Sequence, residues 1–419
     1  MKKYPRILYI ITLLAFLVKA FLILFVIKDP EKFEAHDIAL NMLSTGEMKY
    51  FLDGQMNYNY QFPVYPFLLF FIYKVFGADF HVALLFNIVL SSVTVFFAYP
   101  VFNYFLDHFK IGLGEKAKKN ISFLSASAIV LYPPLVYYSA FIIHPFSLDL
   151  LLSFIALFAI TKYMDRPGTY RLWVVALIIG VSILDRTTMA TLLFPLFLLT
   201  YRDYGWKKAT VISIKVLAIA MLLPACWLVR NYGIYNRFSL NSSFGQNLWI
   251  GIQEESDGSA YMPDGKTYYT TLTNNEWGQV QLLSPPQQSD YFVAKYLEVM
   301  KSDPSRIIRM YCIKLKNFWW FRKGIGIAYN EKANLLIPFY KAFYVLTFLF
   351  SLLALVMIGK RSLLLFSFPL ALSLVQAIFY VETRHRALIE PILIFFAITG
   401  CFILVNKFRT KIKDGDTFN

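Results

Sequence analysis

The sequence predicts an all-α polytopic membrane protein of about ten transmembrane segments, two of them short, with further helices lying at the outer face. Three observations predict it. Of 419 residues, 58% are hydrophobic and only 16% are charged, against about 25% charged in an ordinary soluble domain. The apolar residues gather into long runs separated by polar links, and mean hydropathy is +0.52. The Lys and Arg that give a net charge of +15 sit in short clusters between those runs. That distribution is a topology signal; it makes no single basic face, which argues against nucleic acid as a partner.

The first span is expected at Ile7–Ile27, behind the basic head "MKKYPR". It lacks a small-residue cleavage site and reads as a retained helix. Further spans are expected at His81–Leu106, Ile121–Ala140, Ile142–Tyr163, Leu172–Leu184, Thr187–Tyr201, Ala209–Val229, Leu336–Ile358, Ser362–Tyr380 and Ala387–Val405. Cys226, Cys312 and Cys401 lie far apart and form neither a disulfide framework nor a zinc spacing.

Alternating sides from a cytoplasmic N-terminus puts "DHFKIGLGEKAKKN", "KYMDRPGTYR", "YRDYGWKK", "GKR" and "NKFRTKIKDGD" inside. All carry Lys or Arg, as the positive-inside rule requires. The chain 1–419 then reads as one membrane-embedded unit with both termini cytoplasmic. A first outer loop covers 28–80 and a long outer loop covers 230–335. Neither reads as a soluble domain with its own core.

The segments Leu172–Leu184 and Thr187–Tyr201 reach only about 20 Å at 1.5 Å per residue, short of a hydrocarbon core of about 30 Å. Their shared turn, "LDRTT", therefore lies below the outer surface. Asp185 and Arg186 there either pair with each other or line a cavity.

In the first loop, "PVYPFLLFFIYKVFG" is too short for a span and suits an interfacial or re-entrant helix. In the long loop, "SDPSRIIRMYCIKLKNFWWF" opens with Asp303 as N-cap and Pro304 at the first helical position. Its basic and aromatic mixture, ending in Trp319 and Trp320, predicts a helix lying on the membrane. The polar stretch from Gln253 to Asp290 reads as a mobile cover.

The stretch "FEAHDIALNMLSTGEMKY", from Phe33 to Tyr50, predicts a helix over 35–45. Ala35, Ile38, Ala39, Met42 and Leu43 form an apolar face, with Asp37, Asn41 and Ser44 beside it. On its own, Asp37 there would simply complement a helix N-terminus.

The order of features is more specific. One span is followed by an outer acidic helix and by "NYQFPVYPFLLFFIYKVFG". Later come "LDRTT", then "RNYGIYNRFSLNSSFGQNLWIG" directly after a span. A surface helix ending in "KLKNFWW" follows, and "ETRHRALIEP" precedes the last span. This order resembles the GT-C glycosyltransferases that use polyprenyl-phosphate sugars. It looks most like the dolichyl-phosphate-mannose protein mannosyltransferase family (glycosyltransferase family 39) and its bacterial relatives, which include lipid A aminoarabinose transferase.

The resemblance implies a GT-C architecture in a bacterial inner membrane, with an active site at the outer face. It implies Asp37 as the base or acceptor-orienting carboxylate in an inverting displacement at the anomeric carbon. The leaving lipid phosphate needs fixed positive charge. Arg384 and Arg386 are the first candidates, Arg186 and Arg230 the next, with Glu382 and His385 adjacent. Interfacial snorkelling is the plainer account of Arg230.

Relatives carry a second acid at the outer start of the fourth span. Here that place reads "FIIHPFSLD", with His144. Either His144 replaces the acid as a hydrogen-bond or acceptor-binding group, or His36, Asp37 and His144 hold a divalent metal. Tyr58, Tyr60 and Tyr65 are candidates for stacking on sugar faces. The partners implied are a polyprenyl-phosphate-linked sugar, a glycan, lipid or protein acceptor, and membrane lipids. The rival readings are a lipid-linked glycan ligase or polymerase, a lipid or sugar transporter, and a non-catalytic scaffold.

Overall fold

The computed structural model describes residues 4–52, 55–262, 271–321 and 331–415. Parts of both expected outer loops, 53–54, 263–270 and 322–330, lie outside the described residues. The described chain is overwhelmingly helical. Helix α1 (Arg6–Phe21) continues as a wider π turn over Leu22–Val26, and a two-residue strand β1 (Glu31–Lys32) follows. Helix α2 (Glu34–Thr45) ends at Gly46, whose φ of 75° lets the chain leave in the left-handed region. A hairpin of β2 (Tyr50–Leu52) and β3 (Gln55–Asn57) leads to the short apolar helix α3 (Val64–Phe76).

Next come α4 (Phe80–Phe109), α5 (Glu115–Leu131), α6 (Pro133–Ala140), β4 (Ile142–Ile143), α7 (Phe146–Asp165) and α8 (Thr169–Asp185). A 3₁₀ turn at Thr187–Leu192 enters α9 (Leu193–Ala220), and α10 (Leu222–Tyr235) follows. The outer layer holds α11 (Phe244–Ile250), α12 (Asn274–Gln281), α13 (Pro285–Ser302) and α14 (Pro304–Trp319). The chain closes with α15 (Glu331–Ile358), α16 (Leu363–Gln376), a 3₁₀ turn at Thr383–Leu388 and α17 (Glu390–Gly415).

Among the described residues, six helical stretches are long and apolar enough to cross a membrane, or seven if the bent pair α5–α6 is counted as one. The protein is thus an integral membrane protein by length and composition. The expected span at Ile121–Ala140 is that bent pair. Tyr132 precedes Pro133 and takes an extended backbone (φ −69°, ψ 120°), so the helix breaks there and turns by 45°. Helix α7 is the hub: 78% of its apolar window is buried, against 28% for α1. The expected short segment Leu172–Leu184 is the 17-residue α8. It is packed so tightly on α9 that a Cβ at Gly180 would lie 2.5 Å from the Ala220 carbonyl oxygen.

The expected surface helix is α14, with Asp303 capping the Arg306 amide at 3.0 Å. The long loop differs from expectation in one respect. It carries a small apolar core of its own, formed by Trp249, Ile252, Leu272, Val280 and Phe292. The polar letters of this loop face outward on helices, and its widely spaced apolar residues meet only once α11, α12 and α13 pack together.

Candidate active site

The first loop is docked by backbone pairing. Strand β1 runs parallel to β4: Glu31 N–H donates to Phe141 O at 3.1 Å, and Phe33 N–H to Ile143 O at 3.3 Å. This seats Phe33 edge-on against the His144 ring, centroids 4.9 Å apart. Helix α2 then buries Ala35, Ile38, Ala39 and Met42. Glu34 stands on the same i, i+4 row as Ile38 and Met42, so it turns inward, where its Oε2 accepts from Gln61 Nε2 at 2.9 Å. Asp37, the expected base, stands on the neighbouring row and is exposed.

Two arginines face this entry from other parts of the chain. Glu382 opens the last 3₁₀ turn, its amide donating to His385 Nδ1 at 3.2 Å. Arg384, in that turn, pairs with Glu382 at 3.2 Å and lies over the Phe33 ring at 5.4 Å. Its charge acts on both Glu31 and Glu34. Arg186 leaves the end of α8 and donates to Asp149 Oδ2 from Nε at 2.9 Å and from Nη2 at 2.7 Å. Arg186 is thus held by Asp149, 37 positions away, and not by its sequence neighbour Asp185. Arg384 shares the Phe33 ring with His144, and Arg186 is held by Asp149 in the first turn of α7, five residues after His144, so both arginines approach His144. Tyr138 and Tyr380 face Arg384, and Tyr261 faces Glu34, Glu382 and Arg384.

Other expected site residues are engaged elsewhere. Arg386 is wholly buried. It pairs with Glu390 at 3.1 Å, donates to the Tyr340 hydroxyl and to the carbonyls of Phe318 and Trp320, and sits 3.7 Å from the Tyr344 ring centroid. A ligand has no access to it, which corrects its expected phosphate role; Arg384, two positions earlier, keeps an accessible face. Arg230 donates to the Tyr58 carbonyl at 2.7 Å and stacks on Trp227 at 4.5 Å, fastening α10 to the first loop. Tyr58 is held there by its amide bond to the Tyr235 hydroxyl, and Tyr60 packs on Tyr50. Tyr65 is buried against Asn87, closed to any sugar.

The metal set is not assembled. His36 Nδ1 is 2.6 Å from the Tyr73 hydroxyl, Asp37 points to solvent, and His144 lies across β1–β4. Among the described residues, no three His, Cys, Asp or Glu side chains come together as metal ligands.

Burial governs the site's titration. It pushes the Glu34 carboxyl up, with Asp37 adding and Arg384 opposing. Burial, reinforced by Arg384 and Arg186, holds His144 and His385 well below the usual histidine range. Burial works against the charge on Arg384, but Glu382 and Tyr380 more than offset it. The site therefore offers two fixed cations, two neutral imidazoles and one partly buried carboxyl group of raised proton affinity, with Glu31 at its exposed edge.

Glu31, Glu34, Asp149, Tyr138, Tyr261 and Tyr380 are the residues that sequence reasoning missed. For Glu34 the signal was present, in its i, i+4 row with Ile38 and Met42. For Asp149 it was a lone acid in the first turn of an apolar run. The tyrosines carried none. Neither the comparison with protein-family models nor the comparison with curated proteins finds a match to this chain.

Proposed function

We propose that the protein is a membrane glycosyltransferase of the GT-C type, moving a sugar from a polyprenyl-phosphate donor to an acceptor at the extracytoplasmic face of a bacterial inner membrane. One observation carries the reading: Arg384, from the link before the last helix, lies over the ring of Phe33 at 5.4 Å, next to Glu34 in the loop after the first. An acid and a fixed cation in one pocket are what sugar transfer from a phosphate donor requires.

In this reading Arg384 and Arg186 hold the oxygens of the donor phosphate. The acceptor hydroxyl attacks the anomeric carbon from the opposite face. As its oxygen bonds to carbon, its proton passes to Glu34, and the bond from the anomeric carbon to the phosphate oxygen breaks with its electron pair going to phosphate. The configuration inverts. The base expected at Asp37 fits Glu34 better, because a half-buried carboxylate of raised proton affinity is the stronger base. Asp37, on the rim one turn away, faces the entering acceptor.

The topology belongs to the same proposal. Two of the long stretches, Thr187–Tyr235 and Ile337–Gln376, run 49 and 40 residues, more than one crossing needs. Each holds a glycine in the left-handed region, Gly205 at φ 77° and Gly359 at φ 67°, where a helix must break. Reading each as two crossings, with α5–α6 and α8 as one each, gives about ten spans, both termini cytoplasmic and the pocket outside.

The test is to incubate the purified protein with a panel of polyprenyl-phosphate sugars and measure released polyprenyl phosphate. Release with at least one donor, lost in Arg384→Ala, supports the proposal. No release with any donor and acceptor extract sinks it.

A further inference from the structure

We propose that His144 is a third anion-binding group of this pocket and takes up one proton when a phosphate-type anion enters. The inference rests on the transferase reading for the identity of the anion as the donor's phosphate, and the geometry of His144 supports it separately.

The sequence holds five histidines. Four have a ring nitrogen bonded within the protein: His36 to the Tyr73 hydroxyl, His81 to Asp79, His108 to the Tyr104 carbonyl and His385 to the Glu382 amide. Among the described residues His144 alone has no such bond. Its Nδ1 has no partner there, and the side chain as a whole is only partly enclosed. A buried polar atom left unbonded loses its hydration with nothing in return, so it calls for a ligand or a function. The ring itself is well held, stacked on Phe146 at 3.9 Å and edge-on to Phe33 at 4.9 Å. Its plane is thus set before any ligand arrives.

The charged neighbours explain why the proton arrives with the anion. Arg384 lies over the Phe33 ring that also packs on His144, Arg186 is held by Asp149 five residues after His144, and the charges of both, with His385, act on the imidazole. Behind Arg186 stand Asp149 and Asp185; around Arg384 stand Glu382, Glu31, Glu34, Tyr138 and Tyr380. In the empty pocket, burial and two guanidinium groups oppose a third positive charge, and the imidazole stays neutral. A phosphate between the arginines reverses the local field. The imidazole then gains a proton from solvent and becomes a charge-assisted donor to a phosphate oxygen. No covalent bond to the anion forms. By linkage, affinity rises as pH falls, by up to about tenfold per unit where one full proton is taken up.

The experiment uses the full chain in detergent and titration calorimetry at pH 7 in two buffers of different ionisation enthalpy, which counts protons. The probes are inorganic sulfate, a phosphate-like anion which does not titrate in this range, and farnesyl phosphate, which carries a phosphate monoester on an isoprenyl chain. Wild-type protein should take up most of one proton per sulfate bound. His144→Gln should lose that uptake and bind about tenfold or more weakly. Uptake unchanged in His144→Gln overturns the proposal. So does anion binding by wild type without uptake, a result that needs no variant and leaves the arginine cradle standing. Failure of both probes to bind wild type overturns the cradle and this proposal together. Tighter, His144-dependent binding of farnesyl phosphate identifies a lipid phosphate as the ligand, and equal affinity for both identifies a free anion.

Discussion

Arg186 donates to a single oxygen of Asp149 from two of its nitrogens, at 2.9 Å and 2.7 Å, although the two residues are 37 positions apart and Asp185 is its neighbour in sequence. The pair joins α7, the most enclosed long helix, to the turn between α8 and α9. Removing one partner of a buried ion pair costs about 3–5 kcal/mol. Asp149→Asn keeps the shape and one acceptor but frees the arginine. It should lower donor turnover by about tenfold or more and lower the melting temperature as well, because the buried Arg186 charge loses its counter-charge. Asp149→Leu should lower both further.

The two acidic positions of α2 separate cleanly. Glu34→Gln should lower transfer by about a hundredfold, within the range for removing a general base. Asp37→Asn should cost no more than about tenfold, since that side chain is exposed. The reverse ranking in a donor-turnover assay would return the base to Asp37. Because burial raises the Glu34 pKa above 4.5, the wild-type rate should climb with pH through a midpoint above 4.5 and level off once the carboxylate is free.

Arg384 and Arg386 should give opposite phenotypes. Arg384 is partly accessible and faces the pocket; Arg386 is wholly enclosed by Glu390, Tyr340 and Tyr344. Arg384→Ala should abolish turnover in a protein that still elutes as a single folded species. Arg386→Ala strands Glu390 in the core, a loss of about 3–5 kcal/mol, and should appear as poor recovery of folded protein.

Lys314 gives the outer layer a pH dependence. Its side chain is 2% exposed and passes against Gly251 and Gly258 to donate to the Ile378 carbonyl at 3.1 Å. Burial pushes its pKa down from 10.5 to about 7. The folded state then binds fewer protons than the unfolded state between those values, so stability rises with pH across that window and is lowest below about 7. Protection factors for hydrogen exchange in 251–258 and 378–382 should fall as pH is lowered from 10.5 towards about 7 and level off below it. Lys314→Met should flatten the profile; a wild-type profile already flat refutes the account.

Much of the scaffold was legible because its signals are local. Helix α2 follows from the spacing of Ala35, Ile38, Ala39 and Met42 and from Gly46 after it. Helix α14 follows from Asp303, Pro304 and the basic-aromatic mixture. The kink at Tyr132 was legible too, in Pro133, yet the apolar run through it hides the break from hydropathy alone. The core under the long loop was not legible, because Trp249, Val280 and Phe292 belong to three separate helices.

The sequence by itself determined that this is a helical membrane protein with an acidic entry after its first span and paired arginines before its last. Apolar length, charge placement and capping act over a few residues, and they are written where they act. Only the tertiary structure decided that Glu34 and not Asp37 turns inward, that Arg384 and not Arg386 reaches the pocket, and that Asp149 rather than Asp185 holds Arg186. Those choices depend on which distant segment covers each side chain. The desolvation of a charge and the partner that offsets it exist only once the β1–β4 pairing, α7 and the last 3₁₀ turn have come together.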